Sequence, residues 1–231
     1  MIVSGRNNVK EILKNFSDKK MIKEVICTKN FNEKDILSLI EKRNLNVKYK
    51  EKWELDKLAK NNHQGIIMVT SDFSYTSLED LVSTSKKLVI LDHLEDPHNL
   101  GAIIRTVEAS GVDGIIIPKN RTVDVNETVM KTSVGALFNV QISQVTNLNQ
   151  TIKMLKKEGF WIVGTDMDGV DYKTIEYPDK CVLIIGSEGF GMSRLIKESC
   201  DYVVSIPMNG KINSLNASVA AGIMIYELIR K

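Results

Sequence analysis

The sequence predicts an α/β protein in two parts, a small mixed unit at the front and a larger parallel sheet behind it. Over residues 1–70 helical and strand patterns alternate in short lengths. From Lys87 onward the apolar runs are continuous instead: LVIL (88–91), GIIIP (114–118), FWIVG (160–164), CVLIIG (181–186) and YVVSIP (202–207). Strands covered on both faces read this way, so these five belong to a buried parallel sheet flanked by helices. A chain of 231 residues is long enough for one large or two small cores.

Taken in order, Val9, Ile12, Leu13 and Phe16 mark an amphipathic helix, and a strand follows near Glu24–Thr28. A helix over Glu33–Lys42 precedes a strand near Asn46–Tyr49, and a helix over Trp53–Lys60 precedes the strand Gly65–Thr70. Ser71–Ser77 has no period, and Leu78–Ser85 suits a short helix. The expected division is therefore 1–70, a linker over 71–87, and 88–231. In the last part, helices fall near Asn99–Ser110, Asn126–Leu137, Leu148–Glu158 and Met192–Ser199. The C-terminal helix opens near Ser214, with Val219, Ile223 and Tyr226 on one side and Ala217, Ala220 and Ala221 where another backbone can approach.

Composition narrows the class. Hydrophobic residues at 43% and charged residues at 26% suit a soluble globular chain. The start, MIVSGRNNVKEIL, lacks a cleavable apolar signal, and no run is long enough to span a bilayer, so the cytoplasm is the expected compartment. Cys27, Cys181 and Cys200, like His63, His93 and His98, lack ligand spacing, and no protein-bound metal is expected. The net charge of +2 hides an asymmetry: residues 1–75 carry 15 Lys+Arg against 10 Asp+Glu, and the remainder 16 against 19. A basic front part suits a polyanion such as nucleic acid.

Ligands of parallel sheets sit beyond the carboxyl ends of the strands, and three loops there look specialised. In LDHLEDPHNLGAIIRTVEASG (91–111), Asp96 and Pro97 are a helix-start signature and Gly111 a C-cap. Leu100, Ile103, Ile104 and Val107 form its core stripe, leaving Asn99 and Arg105 off it. In LIIGSEGFGMS (183–193), glycines at 186, 189 and 191 let backbone approach a ligand. This is no phosphate-binding loop, because Met192 takes the lysine position, nor a dinucleotide fingerprint, because Glu188 stands where the second glycine belongs. Ser187 is also misplaced for a hydrolase elbow. A ligand with a cationic centre or ribose hydroxyls fits such a loop better. In SIPMNGKINSLNASVAAG (205–222), Asn213, Ser214, Asn216 and Ser218 crowd one helix entrance, where capping alone needs one of them.

DPHNLGAIIR (96–105), LIIGSEGFGMS and SIPMNGKINSLNASVAAG resemble the three motifs of the SpoU (TrmH-like) branch of the SPOUT RNA methyltransferases, in order, over residues 88–231. The front part, with NNHQGIIM (61–68), resembles the small L30e-like RNA-binding domain of the branch that methylates a guanosine of 23S ribosomal RNA. The resemblance implies a parallel-sheet domain with a C-terminal trefoil knot, an exception to the un-knotted rule. It also implies a homodimer and S-adenosylmethionine as cofactor. Cofactor-binding positions would be Gly186, Ile206 and Leu215, and catalytic or substrate-facing positions Asn99, Arg105, Glu188, Ser214 and Asn216.

The implied reaction is attack of a ribose 2′-oxygen on a sulfonium methyl carbon, which needs two groups held in line and one proton removed. A guanidinium stays protonated, so Arg105 is expected to stabilise the developing alkoxide and grip a phosphate, with Glu188 or a substrate phosphate taking the proton. Other readings predict other things. A non-catalytic RNA-binding protein on this fold predicts degenerate loops. A nucleotide-dependent α/β enzyme predicts a lysine at position 192, and a transfer RNA enzyme of the same family predicts a different substrate only.

Overall fold

The computed structural model describes residues 1–15, 21–59, 62–187, 191–212 and 214–230. Phe16, Lys60, Asn61, Glu188, Gly189 and Asn213, named above, lie outside the described residues. The chain divides into two compact units, Met1–Ser74 with Val125–Asn139, and Tyr75–Asp124 with Val140–Lys231. The stretch 125–139 thus groups with the first unit, whereas the sequence reading put all of 88–231 in the second.

In the first unit, β1 (Ile2–Ser4), α1 (Arg6–Asn15), β2 (Ile22–Thr28), α2 (Lys34–Lys42), β3 (Val47–Lys50), α3 (Lys52–Leu58) and β4 (Ile66–Thr70) alternate. They form a four-stranded sheet of order β1-β4-β2-β3, with β2 and β3 parallel and β4 antiparallel to its neighbours. At three residues β1 is too short to show a period in sequence; its pairing with β4, Ile2 opposite Val69, defines it. Ile26, Leu55 and Ile67 are buried together beneath α3. The returning segment adds a helix, Glu127–Thr132 (α6 in chain order), and a 3-10 turn at Ala136–Phe138.

The second unit runs α4 (Leu78–Thr84), β5 (Lys87–Leu91), α5 (Pro97–Ser110), β6 (Gly114–Pro118), β7 (Gln141–Val145) and α7 (Leu148–Lys157). It continues with β8 (Trp161–Asp171), β9 (Cys181–Ile185), α8 (Arg194–Glu198), β10 (Tyr202–Ser205) and α9 (Ala217–Leu228). Its six strands are all parallel, in the order β10-β8-β9-β5-β6-β7. Five follow the continuous apolar runs. The sixth, β7, is an edge strand whose polar Gln141, Ser143 and Gln144 break any run. Leu88, Ile90, Ile116, Ile162, Val182 and Ile184 bury against Leu148, Ile152 and Leu155 of α7. Leu81 and Val82 of α4 join that core, so the expected linker supplies packing to this unit. Cutting Leu88, Ile90, Ile116, Ile162, Ile184, Ile152 or Leu155 to Ala costs about 2–5 kcal/mol. Among the described residues, no helix is long and apolar enough to cross a membrane.

Candidate functional site

The outer half of β8, the loops that follow β9 and β10, and the start of α9 build the site at the carboxyl edge of this sheet. The register of β8 against β10 jumps, Val203 facing Gly164 and Val204 facing Val170. Residues 165–169 of β8 therefore bulge out of the ladder, which re-aims side chains as bulges do. Thr165 is pinned there by donating from Oγ1 to Ile184 O at 3.0 Å. Behind β9, Gly186 is in close contact with its own loop: a Cβ there would lie 2.5 Å from Gly191 C and 2.7 Å from Met192 N. Only glycine lets this loop fold back so tightly, and Ser187 and Gly191 seal it with reciprocal main-chain bonds of 3.1 Å.

Between these loops lies a cavity of about 390 Å³. Gly186, Ile206, Ser214 and Leu215 all line it, together with Thr165, Asp166, Met167, Val204 and, from α9, Ala217, Ala220 and Met224. Four of the residues singled out from sequence thus come together at one hollow. Its size falls in the range of small-ligand pockets, roughly 300–1,000 Å³. Its described walls are glycine backbone, apolar side chains and the hydroxyl-bearing Thr165, Ser187, Ser205 and Ser214, with one carboxylate. That carboxylate, Asp166, pairs with Lys197 at 3.1 Å, and Lys197 also reaches Asp168 at 3.3 Å. The hydrogen bond to Asp166 is the main reason the Lys197 ammonium titrates above its ordinary range. A lining of main-chain groups, apolar surface, hydroxyls and one carboxylate among the described residues suits a nucleoside bearing a positive charge.

The remaining candidates sit on two helices. Asp96 caps α5 by accepting from His98 N at 2.9 Å, and Gly111 closes it in the left-handed conformation, φ 73°. Asn99 is buried in this helix, and Arg105 one and a half turns on is exposed, with no ion-pair partner among the described residues. Neither lines the cavity. Asn216 is the N-cap of α9, so the helix begins at Ala217 rather than near Ser214. Its Oδ1 accepts from Ser218 N at 3.0 Å and Ser218 Oγ at 2.6 Å. On α9, Val219 and Tyr226 are exposed, while Ala221, Met224, Ile225 and Leu228 face inward. Glu188 lies outside the described residues. The three thiols offer no nucleophile at neutral pH: burial pushes Cys27 and Cys200 up to about 11 and Cys181 up to about 12. Among the described residues no three His, Cys, Asp or Glu side chains are grouped to hold a metal ion.

Sequence reasoning missed Thr165, Asp166 and Met167, because the apolar run of β8 ends at Gly164 and nothing in TDMDG marks a bulge. Met224 did not stand out, because the pattern of this helix was carried by Val219, Ile223 and Tyr226 on one side and by its alanines.

Known proteins carry the same pattern. Residues 86–226 match the SpoU rRNA Methylase family, and residues 2–76 match the RNA 2′-O ribose methyltransferase substrate-binding family. YacO of Bacillus subtilis (strain 168), of the TrmH family of tRNA/rRNA methyltransferases, is 41% identical over 238 residues, covering 99% of this chain and 95% of its own. A TrmH family protein of Staphylococcus haemolyticus is 43% identical over 240 residues, covering 100% and 96%. Among solved structures, the AdoMet-bound rRNA methyltransferase of Sinorhizobium meliloti superposes with a TM-score of 0.79 at 26% identity, covering 98% of this chain and 85% of that one. AviRb of Streptomyces viridochromogenes has the same fold, with a TM-score of 0.80 at 24% identity and coverage of 99% and 89%.

Proposed function

The chain belongs to the SpoU rRNA Methylase family, and from that premise we propose that it methylates a ribose 2′-hydroxyl of RNA from S-adenosylmethionine, the target being a guanosine of 23S ribosomal RNA. One observation carries the reading: Gly186, Ile206, Ser214 and Leu215, drawn from two separate motifs, line one hollow of ligand size. The AdoMet-bound relative from Sinorhizobium meliloti and the substrate-binding match over residues 2–76 support it. When bound, the cofactor supplies a methyl group already activated on a sulfonium.

The residues of the chain then have three tasks. Gly186, Ile206 and Leu215 hold the cofactor by main chain and apolar contact, which excludes water from its charged centre. Arg105 keeps its charge, grips an RNA phosphate and stabilises the alkoxide that develops on the 2′-oxygen. Asn99, Ser214 and Asn216 orient the ribose, and Glu188 or a substrate phosphate accepts the proton. The exposed Val219 and Tyr226 of α9 suit a homodimer that brings a second copy to this edge. The C-terminal segment after β10, threaded as a trefoil knot, belongs to the same reading.

The test is direct. Mapping 2′-O-methyl groups in ribosomal and transfer RNA from a deletion strain should reveal one guanosine of 23S ribosomal RNA that loses its methyl group. Loss at a transfer RNA position would move the substrate, and loss at none would overturn the activity. Arg105→Ala should lower kcat by about 10²–10³, as removal of a transition-state donor does, with cofactor affinity unchanged. Arg105→Lys at near-native turnover would show that the fork of the guanidinium is not needed.

A further inference from the structure

Beside the cofactor cavity lies a second one of about 450 Å³, and Ser187 and Gly191 are walls of both. Asp92, His93, Glu95 and Arg121 line the far side. These four divide into braces and free arms. Asp92, at the end of β5, is 2% exposed. Its Oδ1 bonds the Nδ1 of His93, and its Oδ2 accepts from Ser193 N at 3.4 Å. The buried carboxylate therefore fixes the imidazole and ties β5 to the loop after β9. The arms are Glu95 and Arg121, both exposed and neither ion-paired among the described residues. His93 and Arg121 hold left-handed backbone, φ 59° and 55°, which side-chain-bearing residues adopt rarely and which persists where the surroundings fix it.

We propose that this second cavity receives the target nucleotide, with Glu95 reading a guanine base and Arg121 holding the adjoining phosphate. The inference rests on the neighbouring hollow being the cofactor site, since the common wall is what sets the nucleotide beside the methyl donor. The chemistry selects the base. Guanine alone among RNA bases offers two adjacent N–H donors, N1–H and N2–H, to one carboxylate on its Watson–Crick edge. A guanidinium without a carboxylate partner suits the phosphate, which it can grip through two parallel bonds. His93 has its Nδ1 engaged by Asp92, which leaves Nε2 for a ligand.

The experiment uses the full chain saturated with S-adenosylhomocysteine and titrated with GMP, AMP and inorganic phosphate by calorimetry and NMR. GMP should bind with a Kd of about 1 mM or tighter and at least about fivefold better than AMP. Glu95→Ala should erase that preference and leave phosphate binding intact, whereas Arg121→Ala should weaken GMP about tenfold and abolish phosphate binding. Both variants should bind S-adenosylmethionine within about twofold of the parent, which also shows that they fold. Equal affinity for GMP and AMP, GMP binding indifferent to both substitutions, or no GMP binding at about 10 mM would each overturn the assignment. A parent protein that shows this GMP pattern but does not bind S-adenosylmethionine would leave the nucleotide pocket standing and overturn the reading of its neighbour.

Discussion

The two cavities share a wall and almost nothing else. Among the described residues, one is lined by glycine backbone, by Ile206, Leu215, Ala217, Ala220 and Met224, and by the hydroxyls of Thr165, Ser187, Ser205 and Ser214, with Asp166 its one carboxylate. The other is lined by Asp92, His93, Glu95 and Arg121. A cofactor that never varies can be held by shape, through groups that cannot move, and apolar burial contributes about 25 cal/mol per Å² without any charge to desolvate. A nucleotide within a polyanion must be chosen among four bases, and choice needs side chains that leave a wrong base unpaired. The shared wall, Ser187 and Gly191, is where holding and choosing meet.

The strongest way to break this comparison is to damage the wall itself. In Gly186→Val the new side chain starts 2.5 Å from Gly191 C and 2.9 Å from Gly191 O, both backbone, so the loop must shift. Loss of cofactor affinity by about 100-fold or more is expected, and GMP binding should fall with it. Retention of RNA by the first unit, measured by filter binding, should persist. If GMP binding survives, the two hollows do not depend on one loop.

The same contrast explains what could be read from sequence. Buried strands declare themselves, because LVIL, GIIIP and CVLII can be satisfied only by cover on both faces. That Gly186, Ser214 and Leu215 belong to specialised loops was legible too, since the glycines of 183–193 and the capping side chains around Ser214 have no ordinary structural use in such numbers. The charged cavity was not. His93 showed only a lack of ligand spacing and Arg121 did not stand out at all, because their meeting depends on loops after β5 and β6 brought together by sheet order. Likewise β7 and the bulge of β8 are set by pairing across the sheet, which no local period records. The return of 125–139 to the first unit is of the same kind.

Salt should separate the ligands next. RNA binding by a basic unit releases counterions, so its affinity should fall by about 10²–10³ between 50 and 200 mM salt if several phosphates are engaged. S-adenosylmethionine affinity should change by less than about twofold over that range, because apolar burial dominates it. Titrations of both ligands at matched salt check this; parallel slopes would mean that the first hollow is electrostatic as well. Smaller again is Leu215→Ala. This side chain is 39% exposed without ligand and is expected to be covered with it. Removing it should weaken the cofactor by about tenfold and leave GMP untouched.

The finest test concerns Asp166, the one charged side chain among the described residues that line the first cavity. Asp166 is 17% exposed at its side chain and paired with Lys197 at 3.1 Å, so much of its field is already neutralised. Asp166→Asn keeps the shape and removes that charge. S-adenosylmethionine carries a sulfonium and its demethylated product does not. The variant should therefore bind the cofactor about threefold more weakly and the product less so, by calorimetry. Lys197 reports on the same change. Its ammonium is held above the ordinary value of 10.5, first by the bond to Asp166. A raised value means that the pair contributes stability below the unfolded pKa and loses it as pH rises through the folded one. In the variant only Asp168 remains, at 3.3 Å, so alkaline loss of stability should begin at lower pH. Equal weakening of cofactor and product would assign Asp166 to a hydroxyl rather than to the sulfonium, and the apolar cavity would then recognise shape alone.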